Sequence, residues 1–150
     1  MDKSSEYMDM CARAAPLQRA WVKTRGDVYT TDLKTTCCWL PERPAVEECR
    51  GDYGIRRCGE DLVHIVRMIW LPRLDQLMDL AQRPPLAFDR ISQAFFNWCD
   101  IPRPPWKAPK HRFQSLEQMW LAFVMLSKHG MQWEDAEGWR ELRGKTGENA

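Results

Sequence analysis

The hydrophobic pattern is most regular near the C-terminal end of the chain. Over residues 115–129, Leu116, Met119, Trp120, Phe123 and Leu126 recur at spacings of three and four, which predicts a helix with one apolar face. Ser115 suits the N-cap, and Gln118 three residues later completes a capping-box pattern. Lys128 and His129 fall in the last turn, where the helix dipole favours cations, and Gly130 suits the left-handed position that ends a helix. Full burial of each large side chain gains about 1.5–3 kcal/mol, whereas each ordered backbone residue costs about 1–2 kcal/mol. Five such side chains cannot carry the whole helix alone. It must form a wall of a larger core.

The same periodicity over residues 5–21 places Tyr7, Met10, Cys11, Ala14, Leu17 and Trp21 on one side of a first helix. Pro16 removes a backbone donor inside it and should kink the helix or divide it in two. Strands are predicted over residues 28–31, 35–40 and 62–70, the last β-branched and mostly apolar. Between the second and third, Pro41, Pro44, Gly51, Gly54 and Gly59 punctuate the least regular part of the chain. Leu74, Leu77, Met78 and Ala81 predict a short helix, stopped by Arg83-Pro84-Pro85. Another begins near Ala87, with Phe88, Ile91, Ser92, Phe95, Trp98 and Cys99 on one face. Residues 101–112 read as a proline-rich basic connector of extended geometry. Trp133 and Trp139 are expected to fold back onto the core, and residues 142–150 to form a flexible tail. The expected architecture is a single α+β domain, a small antiparallel sheet packed against about four helices.

A chain of 150 residues with 44% apolar and 29% charged composition suits one globular core. Its net charge of +1 gives no global pull towards DNA or anionic lipid. Eight tryptophans are many for this length, and they fit either a core filled with large rings or an aromatic binding surface. No apolar run reaches the length of a membrane span, and the start MDKSSEYMDM lacks a signal-peptide core. A reducing cytoplasm is therefore expected, with Cys11, Cys37, Cys38, Cys49, Cys58 and Cys99 mostly as free thiols.

Candidate chemistry is sparse. Cys37, Cys38, Cys49 and Cys58, with His64 nearby, have the ligand types for a structural zinc, but there is no C-x-x-C pair, and adjacent cysteines in a strand point to opposite faces. Residues 138–146 mimic a P-loop, with a spacing one residue too long and no room for the following helix. Two Arg-Gly-Asp triplets, at Arg25 and Arg50, read as turns. His64, His111 and His129 have no nucleophile or carboxylate at a recognised spacing. Arg103, Lys107, Lys110 and Arg112, with Trp106 among them, could hold a nucleotide, nucleic acid or other anion while stacking a base. Pro102 and Pro105 followed by Lys107 also fit a PxxPx[KR] ligand pattern. Arg67 and Arg73 flank the Pro72 turn, either to orient it through Asp75 or to clamp a ligand.

Three blocks occur in order along the chain. Glu6-Tyr7-Met8-Asp9-Met10-Cys11 leads to Leu17-Gln18, Trp21 and Gly26-Asp27. The second block runs Trp70-Leu71-Pro72-Arg73-Leu74-Asp75-Gln76-Leu77. The third runs from Ser115-Leu116-Glu117-Gln118-Met119-Trp120 to Val124-Met125, with Trp133 and Trp139 after it. Together they resemble a family of small uncharacterised bacteriophage and prophage proteins with an EYxxMC helix, a WLPRxDQL segment and an EQLWLAFVM helix. Leu74 departs from that pattern, where glutamine is usual. The resemblance implies a phage origin and the cytoplasm of a bacterial host, and no reaction. The expected function is non-enzymatic: an accessory protein that binds a host or viral macromolecule, with a host or phage protein as the expected partner, as an inhibitor of anti-phage defence would. The alternatives are a protein that sequesters a nucleotide or similar anion, and a zinc-stabilised module.

Overall fold

The computed structural model describes residues 1–34, 37–38, 48–50, 53–58, 62–82, 88–100 and 112–142. Helices α1 (Ser5–Arg13) and α2 (Ala15–Ala20) come first, followed by β1 (Val28–Thr30), β2 (Cys37–Cys38), β3 (Glu48–Arg50), β4 (Tyr53–Cys58), β5 (Leu62–Arg67) and β6 (Ile69–Leu71). Helices α3 (Leu74–Ala81), α4 (Phe88–Asp100) and α5 (Leu116–His129) lead to β7 (Met131–Glu134) and β8 (Gly138–Glu141). Every pairing among the described strands is antiparallel, and the fold is α+β. The contacts divide it into two compact units, Met1–Gln76 and Leu77–Ala150.

In the first unit, the Ser4 hydroxyl accepts from the Tyr7 N–H and caps α1. Tyr7, Met8, Met10 and Cys11 form its buried side. The single helix expected over residues 5–21 breaks at Ala14, and Pro16 opens the first turn of α2, where a missing N–H costs nothing. Proline leaves the Ala12 carbonyl without its helical donor; the Arg67 guanidinium supplies one at 3.2 Å.

Strand β1 lies between β2 and β6. Tyr29 faces Trp70 on one side and Cys37 on the other, while Val28 faces Leu71 and Cys38. The strand predicted over residues 62–70 is present, interrupted at Met68. Its first half pairs with β4 and its second with β1, so one run of chain serves two sheets. Of the strand predicted over residues 35–40, Cys37 and Cys38 are extended and the rest lies outside the described residues. Strands β3 and β4 were not expected, because Glu-Cys-Arg and Tyr-Gly-Ile-Arg-Arg-Cys alternate too poorly to announce themselves. Pairing of β4 with β5, and of β3 with β4, sets them in place.

In the second unit, α4 packs on α5 through rings. Phe95 stacks on Trp120 with centroids 4.0 Å apart, and Phe123 meets both edge-on at 5.5 and 5.7 Å. The buried surface of α5 is broader than the predicted stripe. It takes in Trp120, Leu121, Ala122, Phe123, Val124 and Met125, whereas Leu116 is 41% exposed. Ser115 caps the helix as expected, accepting from the Gln118 N–H. The Gln118 side chain, fully buried, accepts instead from the Gln114 N–H, one residue before the position a capping box would use. Gly130 ends the helix at φ +64°, donating back to the Leu126 and Met125 carbonyls.

The hairpin β7–β8 turns through Asp135-Ala136-Glu137, and Gly138 at φ +82° takes the left-handed position such a loop requires. Trp133 and Trp139 face each other across it, ring centroids 5.1 Å apart.

Two neighbours on α4 test this packing. Phe95 is 1% exposed and Phe96 61% exposed. Phe95→Ala should cost about 3–5 kcal/mol and Phe96→Ala no more than about 0.5 kcal/mol, both measured by urea denaturation. Equal losses would contradict the assignment.

Candidate functional site

The polar residues of the first two sequence blocks converge around one carboxylate. Asp27 follows the Gly26 turn, where φ is +86°, and enters β1 with 1% of its surface exposed. One carboxylate oxygen accepts from the Trp21 indole N–H at 2.8 Å, the Thr24 backbone N–H at 2.8 Å and the Thr24 hydroxyl at 3.0 Å. The other accepts from the Gln76 side-chain amide at 2.6 Å. Burial pushes the Asp27 carboxyl up, but these bonds together outweigh it and leave the group below its ordinary value.

The donors are fixed in turn. Gln76 uses its oxygen to accept the Arg73 N–H at 2.9 Å, which fixes which way its amide points. The Arg73 side chain holds Asp75 with two bonds of 3.2 Å and donates to the Gly26 carbonyl at 3.1 Å. The Trp21 ring lies parallel to Trp70 at 6.0 Å, and the Lys23 ammonium sits 5.0 Å from its centroid.

A second junction lies along β6. The Gln18 side chain accepts the Trp70 N–H at 2.8 Å and donates to the Trp70 carbonyl at 3.0 Å, pairing with the strand as another strand would. The same amide nitrogen donates to the Cys11 carbonyl at the break between α1 and α2. The Tyr7 hydroxyl donates to the Pro72 carbonyl at 2.5 Å. Burial pushes the Cys11 thiol far up, so it stays protonated and unreactive at neutral pH.

The arrangement is chemically quiet. Asp27 has its lone pairs taken by fixed donors and is closed to water, which suits a structural anion and not a general base. It is also the carboxylate of the first Arg-Gly-Asp triplet, turned inward. Residues 51 and 52 of the second triplet lie outside the described residues.

The remaining sites scatter. Arg67 is exposed and reaches α1, whereas Arg73 holds the β1 turn, so the two engage different segments. Arg112 pairs with Asp135 at 3.0 Å with its side chain only 12% exposed. Arg103, Trp106, Lys107, Lys110 and His111 lie outside the described residues. Cys37 and Cys38 occupy successive positions of β2 and so belong to opposite faces. Cys49 sits opposite Gly54, four residues along β4 from Cys58, a backbone separation of about 13 Å. Among the described residues, no group of three or more His, Cys, Asp or Glu could hold a metal ion. Of the described tryptophans, Trp70, Trp98, Trp120 and Trp133 are buried. No described helix is long and apolar enough to cross a membrane.

No family model, curated protein or solved structure matches the chain.

Gln18, Asp27 and Gln76 were in the blocks, but nothing in their spacing gave their roles. The only signal was a polar residue set at the border of an apolar run.

The depressed Asp27 value has a sign that can be tested. Its stabilising effect is complete above the unfolded carboxylate value of about 4 and is lost as pH falls below that towards the folded value. Asp27→Asn turns an N–H towards one of these donors, and should cost about 2–4 kcal/mol at pH 7. Urea midpoints between pH 7 and 2 should show the parent losing more of its stability than the variant. A parallel pair of curves would contradict this.

Proposed function

We propose that this chain is a non-enzymatic accessory protein of a bacteriophage or prophage that acts by binding a protein of its host or of the phage. What carries the reading is the inward direction of the motif chemistry. Tyr7, Gln18, Asp27, Arg73 and Gln76 are the groups a reaction would recruit, and all bond within the fold. The blocks that resemble the phage family therefore act as a scaffold, which leaves the variable surface to do the recognising. The resemblance supplies the phage setting, and interference with a bacterial defence system is the role that fits a small protein of this kind.

On the described surface, Phe96 is the aromatic side chain with most area open to solvent. It stands on α4, a helix held rigid by the ring cluster beneath it. Aromatic side chains on rigid elements are the usual anchors of protein interfaces. The flanking exposed positions Gln93 and Asn97, bonded to each other at 3.1 Å, supply a polar rim.

Affinity capture from bacterial host lysate with the parent and Phe96→Asp tests the reading. The expected outcome is one partner retained by the parent and lost by the variant, with the same melting temperature for both. Deleting the gene from its phage should lower growth on the host that supplies the partner. Absence of any partner, together with unchanged phage growth, would overturn the proposal.

A further inference from the structure

We draw no further inference here: the strongest candidate, the surface patch on the loop between α2 and β1 where Val22 stands 81% exposed beside the partly exposed Trp21 ring, carries none, because nothing in the structure shows what covers it.

Discussion

A carboxylate withdrawn from water must find its donors inside the protein, and that requirement governs the first unit. Asp27 draws on the turn that precedes β1, on the chain leaving α2 and on the first turn of α3. Those segments are far apart in the chain, since Trp21 lies 6 positions before Asp27 and Gln76 lies 49 after it. No side-chain packing alone would fix their registry, because apolar contacts are non-directional. Hydrogen bonds with set geometry do fix it. Leaving any donor or acceptor of the set unpaired in the interior costs about 1–3 kcal/mol, which makes the arrangement cooperative.

Gln18 solves a related difficulty. Strand β6 is three residues long and ends its sheet among the described residues, so one side of it meets no described strand. A primary amide has the same donor and acceptor spacing as a peptide group, and Gln18 occupies that edge as a one-residue strand. It is buried at the helix break that Pro16 enforces, and its nitrogen also answers the Cys11 carbonyl there. The proline, the break, the glutamine and the strand edge form one connected device. Arg67 completes it from β5, by serving the Ala12 carbonyl that proline orphans.

How much of this could be read from the chain depended on the range of the interaction. The helices α3, α4 and α5, the break at Pro16 and the run through residues 62–70 follow from local periodicity and caps, and all are present. The short strands β3, β4, β7 and β8 did not show themselves, because each is defined by its partner and not by its own letters. The Gly138 turn is the one local feature that marks the β7–β8 hairpin. The stripe expected on α5 is too narrow because Leu121, Ala122, Val124 and Met125 are buried as well, and the burial of Gln118, bonded to Gln114, is an exception no hydropathy pattern contains. Asp27 was visible only as part of a turn, since its indole and amide donors come from tertiary structure.

The motif residues Tyr7, Gln18, Asp27, Arg73 and Gln76 bond within the fold and hold it together. The central claim is that Asp27 locks an otherwise irregular loop, and native-state hydrogen exchange measures this most directly. Thr24 lies outside any helix or strand, yet its N–H is bonded to the buried carboxylate. The account predicts that this N–H exchanges as slowly as that of Trp70 in β6, through unfolding of the whole unit. Exchange of Thr24 at the rate of an open loop, with Trp70 still protected, would contradict it.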